Sequence, residues 1–138
     1  MKKLISLFLI AFLLISTVSP VYAAPPAETE STIQPRWSYL DTVTAYLDIN
    51  ILGVATCEGS ATARALVDVK VTVRLQQLTD TGWSTIKTWS ATNEGCSSAS
   101  GKYAVYSGYT YRTTVSAYVY DEDGNIIETG SASDTVEY

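Results

Sequence analysis

Apolar and polar residues alternate without a break along the middle of this chain. Val67, Val69, Val71, Val73 and Leu75 are interleaved with Asp68, Lys70, Thr72, Arg74 and Gln76. In an extended strand successive side chains point to opposite faces, so this order gives one apolar and one polar face. On a helix the same valines would be scattered around the circumference. The segment can bury them only as a strand in a sheet with one wet face. The same period of two runs through Val43, Ala45, Leu47 and Ile49. It returns in Tyr109, Tyr111, Thr113, Val115, Ala117 and Val119. No stretch after residue 39 carries the period of an amphipathic helix.

Turn residues divide the alternating stretches. Residues 50–53 read as a turn after the first strand, and a second strand follows with Ala55 and Cys57 on one face. Residues 59–65 are small and polar and predict an irregular connection. Thr79-Asp80-Thr81-Gly82 ends the third strand, because Asp and Gly supply turn hydrogen bonds and left-handed geometry. In the fourth strand, residues 83–91, Trp83, Ile86 and Trp89 do not share one parity, which predicts a bulge or an outward Trp. Residues 93–101, with Cys96, read as a loop. A short fifth strand over 102–106 and a long sixth over 109–120 come next. Asp121-Glu122-Asp123-Gly124 predicts a hairpin with Gly124 in a bulged turn, and residues 125–137 a seventh strand. Seven short strands with turns every ~8–12 residues predict a single all-β antiparallel sandwich, immunoglobulin-like or fibronectin-like.

The domain is expected to span residues 36–138, behind two other segments. Lys2 and Lys3, the apolar run over 4–15 and Val21-Tyr22-Ala23 form the pattern of a signal peptide cleaved before Ala24. Residues 24–35, with Pro25, Pro26 and Pro35, read as a disordered leader. The expected product is secreted and extracellular, with no membrane span after cleavage. It lacks Phe, Met and His, because Phe8, Phe12 and Met1 all precede the cleavage point. Two of the nine Lys and Arg leave with residues 1–23, so seven remain against 14 Asp and Glu, a formal charge of −7. Such a balance argues against nucleic acid, whose binding rests on clustered cations. Cys57 and Cys96 would meet an oxidising compartment, where a disulfide is expected. It would close a loop of about 40 residues and stabilise the fold by ~3–4 kcal/mol.

Without His, no Ser–His–Asp or Cys–His site can be built, and the expectation is a non-enzyme without cofactors. Asp41, Asp48, Glu58 and Asp68 could in principle pair as glycosidase carboxylates, but Asp48 and Asp68 fall on outer strand faces. Residues 121–125 gather acids that a hard cation would favour, yet their spacing suits a hairpin turn better than a calcium loop. Sugar rings stack on exposed aromatics, which makes Trp83, Trp89, Tyr118 and Tyr120 candidate ligand contacts, with Tyr46 also on an outer face. The competing reading places the Trp residues in the core and pairs the Tyr residues across strands. Tyr111, at the opening of the sixth strand, is the candidate for a corner tyrosine whose hydroxyl ties down the preceding loop. Unpaired sheet edges could accept a partner's strand.

The two tryptophans of Trp83-(x)5-Trp89, the run Gly108-Tyr109-Thr110-Tyr111-Arg112 and the hairpin over 120–128 resemble a group of small secreted β-sandwich proteins of Gram-positive bacteria. The resemblance covers nearly the whole of 36–138. It implies the fold and carries over no catalytic or binding residues. The expected function is therefore a binding or structural role outside the cell, toward an extracellular protein or cell-surface component. A glycan or cell-wall ligand is the runner-up, and a bacteriocin-like factor is a third class.

Overall fold

The computed structural model describes residues 37–138, so the expected signal peptide and leader lie outside the described residues. Seven strands follow in order: β1 (Leu40–Ile49), β2 (Val54–Ala63), β3 (Asp68–Thr79), β4 (Gly82–Glu94), β5 (Cys96–Ala104), β6 (Thr110–Tyr120) and β7 (Ile126–Glu137). All pairings are antiparallel. One sheet has the order β1-β2-β5 and the other β4-β3-β6-β7. This is a β-sandwich, with β3 and β6 as the two central strands of the larger sheet. Relative to an immunoglobulin constant domain, β4 pairs with β3 instead of β5. No helix among the described residues is long and apolar enough to cross a membrane.

Two stretches that read as loops are strands. β2 continues through residues 59–63, and β5 begins at Cys96. Their Gly, Ala and Ser residues look like turn formers, but tertiary packing overrides local propensity here. A Cβ added at Gly59 would lie 2.5 Å from Val115 Cγ2 and 2.7 Å from Val73 Cγ2. The small side chains are what let the two sheets close on each other.

The core is accordingly lopsided. The larger sheet contributes Val69, Val71, Val73, Leu75, Tyr111, Val115, Ala117 and Val119; in the smaller one β1 adds Leu40 and Leu47, while β2 and β5 offer only Ala55, Cys57, Ala61 and Ala99. Branched residues on one inner face interlock with a nearly flat partner. Thr113 is fully buried in the same layer, and its Oγ1 has no hydrogen-bond partner among the described residues.

The sheet edges meet along two seams, and side chains tie both. β1 and β7 meet on one side. There Glu128 accepts the amides of Ser38 (2.6 Å), Tyr39 (2.9 Å) and Leu40. Farther along, Asp134 Oδ2 accepts the amide of Leu47 at 2.9 Å. Trp37 and Leu40 lie over Gly130 of β7, where a Cβ would come within 3.0 Å of the indole. On the other side β4 meets β5, where Ser97 Oγ donates to the Ala91 carbonyl at 3.1 Å. The Trp89 indole packs directly on Gly101. These side chains satisfy or cover edge groups that would otherwise be open to another strand.

Burial works against the charge of Glu128, but its three amide donors and the nearby Arg64 outweigh that and hold the carboxyl below its ordinary range. A group whose pKa is depressed by folding stabilises the fold above its unfolded pKa, about 4.3 for Glu, and loses that contribution as pH falls through the folded value. Glu128→Gln is expected to lower the unfolding free energy at neutral pH by about 2 kcal/mol, the scale of hydrogen bonds to a charged group. In urea titrations at a series of pH values, the gap between the two proteins should close below about pH 4. Thr113→Val, which removes the unpartnered hydroxyl at nearly constant shape, should raise stability by about 1 kcal/mol, read from the thermal midpoint.

Candidate functional site

Strand parity decides what each aromatic candidate can touch. The β3–β4 ladder shifts register between Leu75 and Gln76, so the two tryptophans of β4 emerge on opposite faces. Trp89 stands opposite buried Val73 and points inward, onto Gly101. Trp83 stands opposite exposed Leu78 and points outward. The Arg112 guanidinium lies over the Trp83 ring, 4.2 Å from its centroid. Gln76 Oε1 accepts from Arg112 Nε at 3.0 Å and from Nη2 at 2.8 Å, which fixes the guanidinium on the ring. The two indoles therefore cannot form a common stacking platform.

Tyr118 and Tyr120 are half-buried on the outer face of β6, opposite Lys70 and Asp68 of β3. The structure brings these two tyrosines together. Trp83 lies eight β3 positions from Tyr118 and ten from Tyr120, roughly 27 Å or more at the strand rise. Tyr46 is exposed on β1, above a shallow floor of Thr44, Ser60, Ser98 and Ser100 with Glu58 beside it.

The expected disulfide is not formed. Cys96 pairs in register with Thr62, and Cys57 with Gly101. Thr62 is five positions along β2 from Cys57, so the sulfurs leave opposite faces roughly 17 Å apart along the strand. A disulfide requires Cα atoms within about 7 Å. Cys57 is buried and Cys96 exposed. Burial pushes the Cys57 thiol up; the Thr113 hydroxyl is near enough to offset part of that effect but makes no hydrogen bond of good geometry with it. The expectation rests on an oxidising compartment alone; residues 93–101, expected to be a loop, instead place Cys96 at the start of β5, where strand register keeps it from Cys57.

The acidic hairpin is organised around its own turn. Asp121 Oδ1 accepts the amides of Asn125 (2.8 Å) and Asp123 (3.0 Å), while Asn125 Nδ2 donates to Oδ2 at 3.1 Å. The Asn125 amide and side chain, with smaller help from Asp123 and Gly124, hold the Asp121 carboxyl below its usual range. No group of three or more metal-ligating side chains converges among the described residues.

The remaining candidate surface is the end of the sandwich that carries the β1–β2 turn, the β3–β4 turn and the β5–β6 loop. In the first of these, Asn50 Oδ1 accepts the amides of Leu52 and Val54, both at 3.0 Å, and the Gly53 amide donates to the Asn50 carbonyl. Gly53 takes a φ of +74°, and a Cβ there would sit 2.7 Å from the Val105 carbonyl oxygen. The turn is thus rigid. Its two apex residues, where polar side chains are usual, are Ile51 and Leu52, 94% and 82% exposed.

The β5–β6 loop is held against this turn by Val105 N–H donating to the Gly53 carbonyl at 2.7 Å. It carries Tyr106, 81% exposed. Its backbone is fixed by the buried Tyr111, whose hydroxyl donates to the Tyr106 carbonyl at 2.8 Å and accepts the Tyr106 amide at 3.2 Å. Burial pushes the Tyr111 hydroxyl up, so it keeps the proton that it donates. Tyr109 stands edge-on to Tyr111 and is itself exposed. Sequence reading located the turn and missed its importance. The available signal was an Ile-Leu pair at the apex of a tight turn.

No protein-family model matches the chain, and no curated protein matches it. The cysteine assignment makes a direct prediction. In the native protein a maleimide should label Cys96 alone, with Cys57 reacting only after denaturation. Reducing agent should leave the thermal midpoint unchanged.

Proposed function

We propose that the chain is a secreted, non-enzymatic β-sandwich that acts at or near the cell surface and makes its contact through the turn end built on Ile51, Leu52 and Tyr106. The exposure of Ile51 and Leu52 on a rigid apex carries this reading. Neither side chain packs into the core, so folding gives no reason for two large aliphatic residues there. Preorganised apolar groups of this kind mark interaction sites, because little flexibility is lost when they are covered. The carboxylates with clear partners also support a non-catalytic role. Glu128, Asp134 and Asp121 are engaged by backbone amides, and Asp41 pairs with Arg64 at 3.3 Å.

A glycan ligand is the second reading, favoured by a cleft of about 650 Å³ beside the same end, where Tyr109 and Leu78 face Asp80, Thr79 and Thr110. An aromatic wall with a carboxylate and hydroxyls suits the apolar and polar faces of a sugar. It replaces the two-tryptophan platform that strand parity rules out.

Two measurements test the main reading. The protein recovered from culture medium should begin at Ala24 by N-terminal sequencing. Purified mature protein should pellet with intact cells of the producing strain, and Ile51→Ser/Leu52→Ser should remain in the supernatant. Retention of both proteins alike would move the contact elsewhere. Depletion by insoluble glycans that Tyr109→Ala abolishes and the double serine variant does not would promote the second reading.

A further inference from the structure

We infer that the turn end is an interfacial anchor, and that its occupant is the headgroup and upper acyl layer of a zwitterionic lipid bilayer. The inference rests on the turn end being the contact surface and names what covers it.

Size separates a lipid surface from a folded protein partner. Ile51, Leu52 and Tyr106 together expose on the order of 500 Å², taking large side chains at roughly 150–250 Å² each. A stable protein–protein interface needs about 800 Å² per partner. The three side chains alone fall short of that, so a protein partner would have to rest on the flanking tyrosines and charged rim as well, whereas a bilayer sets no minimum and needs no shape match. The exposed pair also stands on a convex turn, which inserts into a deformable layer more readily than it fills a rigid pocket.

The chemistry is layered in the sense that an interface requires. Residues 49–57 and 103–111, which the Val105–Gly53 hydrogen bond brings together, contain no Asp, Glu, Lys or Arg. The aliphatic apex, Ile51 and Leu52, is the most exposed part. The tyrosines Tyr103, Tyr106 and Tyr109 belong to the adjoining β5–β6 segment, and tyrosine is the side chain that sits best at headgroup depth, with an apolar ring and a polar tip. Charges begin immediately beyond these segments, and both signs are present. Asp48 and Lys102 flank Thr56 in one row of the smaller sheet, and Arg112, Glu137 and Asp80 border the other sheet. Such a mixed rim matches paired phosphate and ammonium charges and offers no cationic cluster to an anionic membrane. Two aliphatic side chains give weak, reversible binding, comparable to a single short lipid anchor.

The test is flotation of the mature protein with phosphatidylcholine vesicles. Co-flotation is expected, unchanged between about 0.1 and 1 M salt because the attraction is not coulombic. Ile51→Ser/Leu52→Ser should lower the partition coefficient at least tenfold. Both residues are solvent-exposed, so Trp fluorescence and the thermal midpoint of that variant should match the parent. Failure of the parent to float would overturn the inference, as would equal flotation of the variant. Binding that appears only with anionic lipid and vanishes in high salt would also overturn it. Loss of cell retention in the variant without any vesicle binding by the parent would leave the turn end as the contact surface and assign it a protein partner.

Discussion

The near absence of side chains on the inner faces of β2 and β5 sets the spacing on which the rest of the sandwich depends. Gly59 meets Val73 and Val115 at distances that leave no room for a methyl group, and Gly101 gives its space to the Trp89 indole. A chain whose domain lacks Phe and Met has few ways to fill a wide gap between sheets. This one narrows the gap, with valines on one side and alanine, cysteine and glycine on the other. Close-packed interiors tolerate neither voids nor excess volume, so the two faces constrain each other residue by residue.

Narrow spacing also brings the sheet edges near each other, and the edge chemistry follows from that proximity. On one side the acidic residues of β7 take over hydrogen bonds that a neighbouring strand's carbonyls would supply. On the other, a serine hydroxyl and an indole do comparable work. Glu128 and Asp134, two of the acidic residues of β7, are thus explained as fasteners. Strand register rules out the disulfide, because both cysteines occupy regular positions of the smaller sheet, five register positions apart and on opposite faces.

Much of the architecture was legible because β1, β3 and β6 display uninterrupted alternation, and alternation reports directly on burial. β5 was not legible, since Ser97, Ala99 and Gly101 carry the same letters as a loop and become strand residues only by virtue of what they pack against. The opposite orientation of Trp83 and Trp89 follows from a bulge at Ile86, which the broken parity of Trp83, Ile86 and Trp89 announced without saying which Trp would face outward. Glu128 and Asp134 gave no hint of their partners, because those partners are backbone amides about 90 residues away. The turn end was half legible: Asn50 and Gly53 mark a turn, while the exposure of Ile51 and Leu52 follows from its rigid geometry.

The distance in sequence between Glu128 and the amides it holds, 88 to 90 residues, has a bearing on the order in which the domain can assemble. The first strand lacks its edge fastening until the last strand has left the ribosome. Contacts of such long range form late and slow folding. The N-terminal half alone therefore cannot close into the finished sandwich. The carboxylate that locks the entry of β1 thus ties closure of that edge to the arrival of β7.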